Sequence, residues 1–372
     1  MGKDRRLAVV AVAAVVAAAV ATVLYTPSGT TLPIPEPGPA SDGSNGTGSG
    51  IQVLAENLEV PWAIDLADDG RLFFTERPGR IRVIDPEGKL IEEPAAYINA
   101  EQRGESGLLG LVLHPDFQTN HRLYVYHTYY NGSSILNKVL MLTERDNKII
   151  ESAVIIDGIP AADRNDGGRI KFGPDGMLYI ATGDARQPEL AQNARSLAGK
   201  ILRINPDGSI PDDNPFDGSP VYSYGHRNIQ GLAWHPVTKE LYASEHGQEG
   251  NDEINLIKPG GNYGWPVEEC DAEQFEKPVA CFNPAIAPAG MAFAASDTLG
   301  YQNASLVATL KAQHLRLVDL ASGTEGNVLT GFGRIRDVIE APDGSLYVAT
   351  SNRDGRAIAG AGDDKILRVV KP

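Results

Sequence analysis

From residue 51 onward the chain is written in short runs in which apolar and polar residues alternate, each opened by a tight turn. The clearest copies are Asp69-Gly70-Arg71-Leu72-Phe73-Phe74-Thr75, Pro174-Asp175-Gly176-Met177-Leu178-Tyr179-Ile180-Ala181-Thr182 and Pro342-Asp343-Gly344-Ser345-Leu346-Tyr347-Val348-Ala349-Thr350. A period of two is that of a strand with one face covered. Asp-Gly joins adjacent strands because Gly takes positive φ without a steric clash, so each copy predicts a hairpin. Weaker copies run from His114-Pro115-Asp116 into Arg122–Tyr126, and from His235-Pro236 into Glu240–Ser244. A second alternating strand, of the kind found on a half-exposed sheet, follows at Arg80–Asp85, Lys200–Asn205 and Lys365–Val370. A sixth unit, without Asp-Gly, fits Asn303–Leu320. Six units spread over the body of the chain give roughly 50 residues each, the size of a propeller blade. The expectation is an all-β, six-bladed β-propeller; a β-sandwich and a parallel β-helix are the alternatives. A propeller carries function on the loops at one end of its axis, so the segments between the repeats matter most.

The first 50 residues read differently. Lys3, Arg5 and Arg6 precede an unbroken apolar run from Leu7 to Tyr25. As a helix this run would be about 28 Å long, close to the hydrocarbon core of a bilayer. Residues 1–25 are therefore expected to be a signal anchor or a signal peptide, with Ala19-Val20-Ala21 as a small-residue cleavage site. The positive flank places the remainder outside the cytoplasm. Residues 26–50 are rich in Pro, Ser and Gly and lack the apolar residues that repay ordering, so they read as a tether. The propeller is expected to occupy 51–372. In an oxidising compartment Cys270 and Cys281, eleven apart, are expected to form a loop-closing disulfide; two buried thiols are the alternative.

Composition narrows the function. The 40 Gly and 25 Pro disfavour a helical bundle, and 42% hydrophobic residues exclude global disorder. A net charge of −15 argues against a nucleic-acid partner, which calls for a basic face. Two cysteines cannot build a four-Cys zinc site. No G-x-S-x-G, Walker, H-E-x-x-H or C-x-x-C motif is present. Within the acidic total, Arg227, Lys311, Arg334 and Arg336 precede or sit in expected strands. Converging on the axis they would hold a small polyanion; taken singly, each reads equally as an ordinary surface or ion-paired cation. Arg334 and Arg336 are two apart and would share a strand face. Glu245, Glu249, Asp252 and Glu253 border a Gly-rich loop, and hard oxygens of this kind suit Ca²⁺. Their spacing is not that of an EF-hand, and a solvated acidic loop is the alternative.

Several segments together carry a resemblance. They are Pro61-Trp62-Ala63-Ile64, Glu76-Arg77-Pro78-Gly79-Arg80, Gly107-Leu108-Leu109-Gly110, Gly167-Gly168-Arg169, Tyr224-Gly225-His226-Arg227-Asn228, Gly250-Asn251-Asp252-Glu253-Ile254-Asn255 and Gly261-Asn262-Tyr263-Gly264-Trp265-Pro266. With them, residues 51–372 resemble the soluble quinoprotein sugar dehydrogenases, the glucose/sorbosone dehydrogenase family, and most nearly its aldose sugar dehydrogenases. The resemblance implies a six-bladed propeller that binds pyrroloquinoline quinone (PQQ), a planar ortho-quinone with three carboxylates. It implies that Arg227, Asn228, Lys311, Arg334 and Arg336 hold the cofactor. The carbonyls of Gly247 and Gln248 would bind a Ca²⁺ beside it, and Glu253 with the carbonyl of Tyr263 a second, structural one. The reaction would move a hydride from C1 of an aldose to the quinone while a base takes the hydroxyl proton; the external electron acceptor is unspecified. Two positions depart from the pattern. The family's base, a His four residues before the Arg of Gly167-Gly168-Arg169, is Asn165 here, and an amide does not accept a proton near neutral pH. Asp184 matches the carboxylate that orients that base, and Asp166 or Asp184 are the candidate replacements. Glu105 stands where the family has a cofactor-contacting Gln, adding a negative charge beside an anionic cofactor. The alternative reading is a non-catalytic, Ca²⁺-stabilised extracellular propeller that binds a glycan or a protein.

Overall fold

The computed structural model describes residues 50–371. The expected anchor or signal segment (1–25) and nearly all of the expected tether (26–50) lie outside the described residues. Among the described residues no helix is long and apolar enough to cross a membrane.

The described residues open with β1 (Ile51–Ala55) and then build four-stranded antiparallel sheets in sequence order. Blade 1 is β2 (Pro61–Leu66), β3 (Leu72–Glu76), β4 (Arg80–Ile84) and β5 (Ala96–Tyr97). Blade 2 is β6 (Leu108–Leu113), β7 (Arg122–Tyr130), β8 (Ile135–Arg145) and β9 (Lys148–Pro160). Blade 3 follows as β10 (Gly167–Phe172), β11 (Leu178–Thr182), β12 (Lys200–Ile204) and β13 (Val221–Tyr224). Blade 4 is β14 (Ile229–Trp234), β15 (Leu241–Glu245), β16 (Asp252–Ile257) and β17 (Ala280–Phe282). Blade 5 is β18 (Pro288–Phe293), β19 (Ser305–Thr309), β20 (His314–Val318) and β21 (Glu325–Thr330). Blade 6 is β22 (Ile335–Glu340), β23 (Leu346–Thr350) and β24 (Ile366–Val369), completed on its outer edge by β1. The fold is thus the expected six-bladed propeller. The ring closes by antiparallel pairing of Ile51 with Val369 and Val53 with Leu367.

The Asp-Gly turns join the first and second strands of blades 1, 3 and 6, with Gly70, Gly176 and Gly344 at φ of +88°, +77° and +79°. The inner strands are covered on both faces by neighbouring blades. Every residue of β6 is buried, as is every residue of β3 and β11. One expectation fails here: β12 is not half exposed but buried along its whole length. Its Lys200 has no open face to reach, and its ammonium donates instead to the carbonyls of Leu190, Ala191 and Ala198 at 2.7–2.9 Å.

A polar plug fills the middle of the axis. Asp337 of β22 accepts from Arg169 Nη1 of β10 at 2.8 Å and from the Ile64 amide of β2 at 3.0 Å. The carboxylate lies so close to β18 that a Cβ on Gly290 would fall 1.8 Å from its Oδ1, so this position admits only glycine. Arg169 also donates to the Gln230 carbonyl at 2.9 Å and stacks 4.5 Å from the Trp62 ring. The Cys270–Cys281 disulfide closes the loop before β17.

Candidate functional site

The inner strands start, and the second strands end, at the same end of the ring. Residues flanking those two kinds of strand end therefore converge. Together they enclose a cavity of about 280 Å³. Trp62, Gln230 and Arg336 come from inner strands; Glu105, Ala287 and Arg334 immediately precede inner strands. Arg77, His246, Lys311, Asp354 and Arg356 follow the second strands of blades 1, 4, 5 and 6.

Five of these groups are cationic and two are acidic. Asp354 is buried and accepts from Arg334 Nε at 2.9 Å and Nη2 at 2.7 Å, with Arg336 Nη2 at 3.5 Å. Arg336 donates to Gln230 Oε1 at 2.7 Å, and burial lowers its pKa to about 10. Burial likewise lowers Arg77, whose Nε is enclosed without a partner. The five cations of the wall outnumber its two carboxylates, so the cavity keeps a positive excess. A flat polyanion fits this donor set.

The expected cofactor residues divide into two groups. Glu105, Lys311, Arg334 and Arg336 are on the cavity wall. Arg227 and Asn228 stand behind it. The Arg227 guanidinium lies 5.3 Å from the Trp265 ring and donates to the His246 carbonyl at 3.1 Å, with its Nε enclosed and unpartnered. Asn228 accepts from the Gly167 amide at 3.1 Å. The expected penalty at Glu105 is offset: its Oε1 pairs with Arg356 across the rim.

The candidate base positions lie at the edge of the site. Asn165, at φ +60°, donates through Nδ2 to Asp184 Oδ1 at 3.0 Å. Asp184 Oδ1 also accepts from the Arg186 amide at 2.8 Å, and its Oδ2 from Trp265 Nε1 at 2.9 Å. Burial raises its pKa nonetheless. Asp166 corrects the expectation made for it. It is buried against blade 2 rather than facing the cavity, accepts from Asn137 Nδ2 at 3.2 Å and the Ala162 amide at 2.9 Å, and is raised by burial to about 7.

The expected cation sites are rich in oxygen. Around Gly247 a Cβ would meet the carbonyl oxygens of Gly250 and Asn251 at 2.2 and 2.4 Å. The Gly247 amide donates to Asp252 Oδ1 and the Gln248 amide to Glu269 Oε1, each at 3.0 Å, which fixes this loop. Deeper in blade 4, Glu245 and Glu253 face each other across β15 and β16. Asn255 Nδ2 bridges them at 3.3 and 3.0 Å, and Glu253 Oε1 is enclosed with no partner. Burial and the Glu245 charge push Glu253 well above the ordinary carboxylate range. An orphaned carboxylate oxygen beside a second carboxylate fits a hard cation. Tyr263 stacks on His226, which contacts Glu245 Oε2 at 2.9 Å, so the same network reaches the residue whose carbonyl was expected to help. Among the described residues no three His, Cys, Asp or Glu side chains converge as a metal cluster, so backbone carbonyls would supply most ligands.

The sequence model of the glucose/sorbosone dehydrogenase family matches residues 58–359, most of the propeller. The chain belongs to this family. Its similarity to the aldose sugar dehydrogenase YliI of Escherichia coli is 32% identity over 340 residues, covering 83% of this chain and 91% of that one. To the quinoprotein glucose dehydrogenase B of Acinetobacter calcoaceticus it is 36% over 249 residues, 58% and 52% of the two chains. The PQQ-bound aldose sugar dehydrogenase of Streptomyces coelicolor superposes with a TM-score of 0.77 at 37% identity, over 86% of this chain and 97% of that one. The relatives named here are sugar dehydrogenases.

Sequence reasoning missed Trp62, Gln230, His246, Arg77, Asp354 and Arg356 as wall residues. A positional signal was available for the last four. His246, Arg77, Asp354 and Arg356 stand just after a second strand, as Asp184 and Lys311 do in other blades.

Proposed function

We propose that the protein oxidises an aldose at C1 with PQQ as hydride acceptor and Ca²⁺ as an assisting cation. The observation that carries this reading is the wall of Arg77, Lys311, Arg334, Arg336 and Arg356 around one axial cavity of an acidic protein. When bound, PQQ supplies an ortho-quinone that accepts a hydride, and Ca²⁺ supplies a Lewis acid beside it. In this reading Arg334 and Arg336, fixed by Asp354, hold the carboxylates of the cofactor, and Lys311 closes over it. Arg227 and Asn228 support the wall from behind. The carbonyls of Gly247 and Gln248 hold the assisting cation; Glu253 and the Tyr263 carbonyl hold a structural one. Asp184 fixes the side chain of Asn165 and so the shape of the substrate entrance. The protein works outside the cytoplasm, held to the membrane by residues 1–25 or secreted after their removal.

Asn165 favours a second reading, a non-catalytic Ca²⁺-stabilised propeller that binds a glycan or protein partner. Titration of the Ca²⁺-loaded protein with PQQ, followed by dye reduction with a panel of aldoses, separates the two. The first reading expects saturable quinone binding and turnover with at least one aldose. Absence of quinone binding overturns it; binding of sugar without turnover selects the second.

A further inference from the structure

We propose that the carboxylate of Glu105 takes the proton from the sugar hydroxyl, the task that the side chain at position 165 cannot perform. The assignment rests on the quinone-dependent reading given above. In that reaction the C1–H bond breaks with its electron pair passing to the quinone. The O1–H bond breaks with its proton passing to a base, and a C1=O double bond forms. The quinone is reduced by two electrons, and the base ends protonated. The base must therefore face the cavity and keep a lone pair free.

Three wall groups can in principle accept a proton: Asp354, His246 and Glu105. Asp354 is buried between Arg334 and Arg336, and its charge is answered there. His246 has its Nε2 enclosed by protein, out of reach of a substrate. Glu105 differs from both. It lies on the loop entering β6, with its side chain 27% exposed at the rim. Its Oε1 pairs with Arg356. Its Oε2 receives one long hydrogen bond, from the Asn165 amide at 3.3 Å. That contact places a carboxylate oxygen with a lone pair to spare beside position 165. The two carboxylates nearest by sequence do not compete. Asp184 is buried, is not on the cavity wall and already accepts three hydrogen bonds, from Asn165, Arg186 and Trp265, and Asp166 is buried away from the wall. Arg356 is the positioning residue: it neutralises Glu105 beside an anionic cofactor and orients its carboxylate.

The test uses the full chain loaded with PQQ and Ca²⁺. Quinone affinity is read by absorbance titration, and single-turnover reduction by mixing the loaded protein with an aldose that the wild type oxidises. Glu105→Gln is expected to bind PQQ within threefold of wild type and to slow reduction by about 10²–10⁴-fold. Glu105→Asp, which keeps a carboxylate, is expected to fall between. Adding Asn165→His to Glu105→Gln is expected to restore at least tenfold. Reduction by Glu105→Gln within threefold of wild type overturns the assignment. A loss of PQQ affinity beyond tenfold in Glu105→Gln also overturns it, making Glu105 a cofactor ligand. So does a wild type that binds PQQ and leaves it oxidised across the aldose panel. A wild type that binds no PQQ overturns the parent reading instead, and the assignment falls with it.

Discussion

At one end of the axial channel five cations and two carboxylates enclose about 280 Å³; at the other, the Asp-Gly turn end, a wider hollow of about 560 Å³ is lined by Phe172, Trp234, Phe293 and a single lysine, Lys171. Both ends belong to the same six inner strands. At the wide end the half-buried carboxylates accept from backbone: Asp65 from the Leu113 amide at 2.8 Å, and Glu340 from the Ser296 amide at 3.1 Å. At the narrow end the Nε atoms of Arg77 and Arg227 are enclosed without partners. The narrow end keeps an excess of cations over carboxylates, whereas the wide end sets its one lysine among three carboxylates, Asp65, Asp68 and Glu340. The difference also follows from chain geometry. Hairpin turns are short and conformationally fixed, so they leave little to vary. The opposite loops are free to carry charges inward.

The sharpest way to break this comparison is to remove the plug between the ends. Asp337→Ala strands Arg169 as a buried, uncompensated charge, and denaturant unfolding is expected to show a loss of about 3–5 kcal/mol. A loss below about 1 kcal/mol would mean that the ends are not separated by this pair. Next, Arg336→Gln is expected to weaken PQQ binding about 100-fold, or about 2.7 kcal/mol, by absorbance titration. Lys171→Met, at the opposite end, is expected to leave that affinity within twofold; equal losses would erase the functional difference between the ends. Chelation of Ca²⁺ is expected to lower Tm by a few degrees, as loss of any native-state ligand does. Glu253→Gln should shrink the Tm response to the chelator to the share of the Gly247–Gln248 site, and an unchanged response would remove Glu253 from the cation site.

The smallest effect concerns Asp166, just behind the narrow end. Burial lifts its carboxyl to about 7. A carboxyl raised on folding stabilises the protein below its unfolded value near 4, and that contribution is lost as pH rises through about 7. Asp166→Asn should therefore raise Tm at pH 8 and change it little at pH 4. A Tm gain that is equal at both pH values would contradict the buried, unpaired state of its Oδ2.

Much of the fold was legible because blade hairpins are local. Asp-Gly followed by alternating residues specifies a turn and its flanking strands within about ten residues. Lys311, Arg334 and Arg336 were legible for a related reason, as cations beside or in expected strands whose ends meet at one end of a propeller; Glu105 was legible only through the family resemblance. Lys200 was misread because its neighbours alternate in sequence while blade 3 is covered on both faces. Asp337 was invisible as a partner of Arg169, since nothing local signals a contact between strands of blades 3 and 6. Asp166 was misplaced because its chain direction after the positive-φ residue Asn165 cannot be read from spacing. The pairing of β1 with β24 also left no local trace.

That last pairing sets an order of events during synthesis. β1 emerges among the earliest-made segments of the propeller, and its partner strand is complete only once Val369 has been made. Until then five blades can assemble around an axis that is still open on one side, with bare strand edges at the gap. A ribosome that stalls or stops before Ile366 would release a cleft ring, with Arg334 and Arg336 assembled only on its loose flank. The cationic cavity is thus a late product of translation: the first strand of the propeller waits for the last one before the ring that carries the cavity is closed.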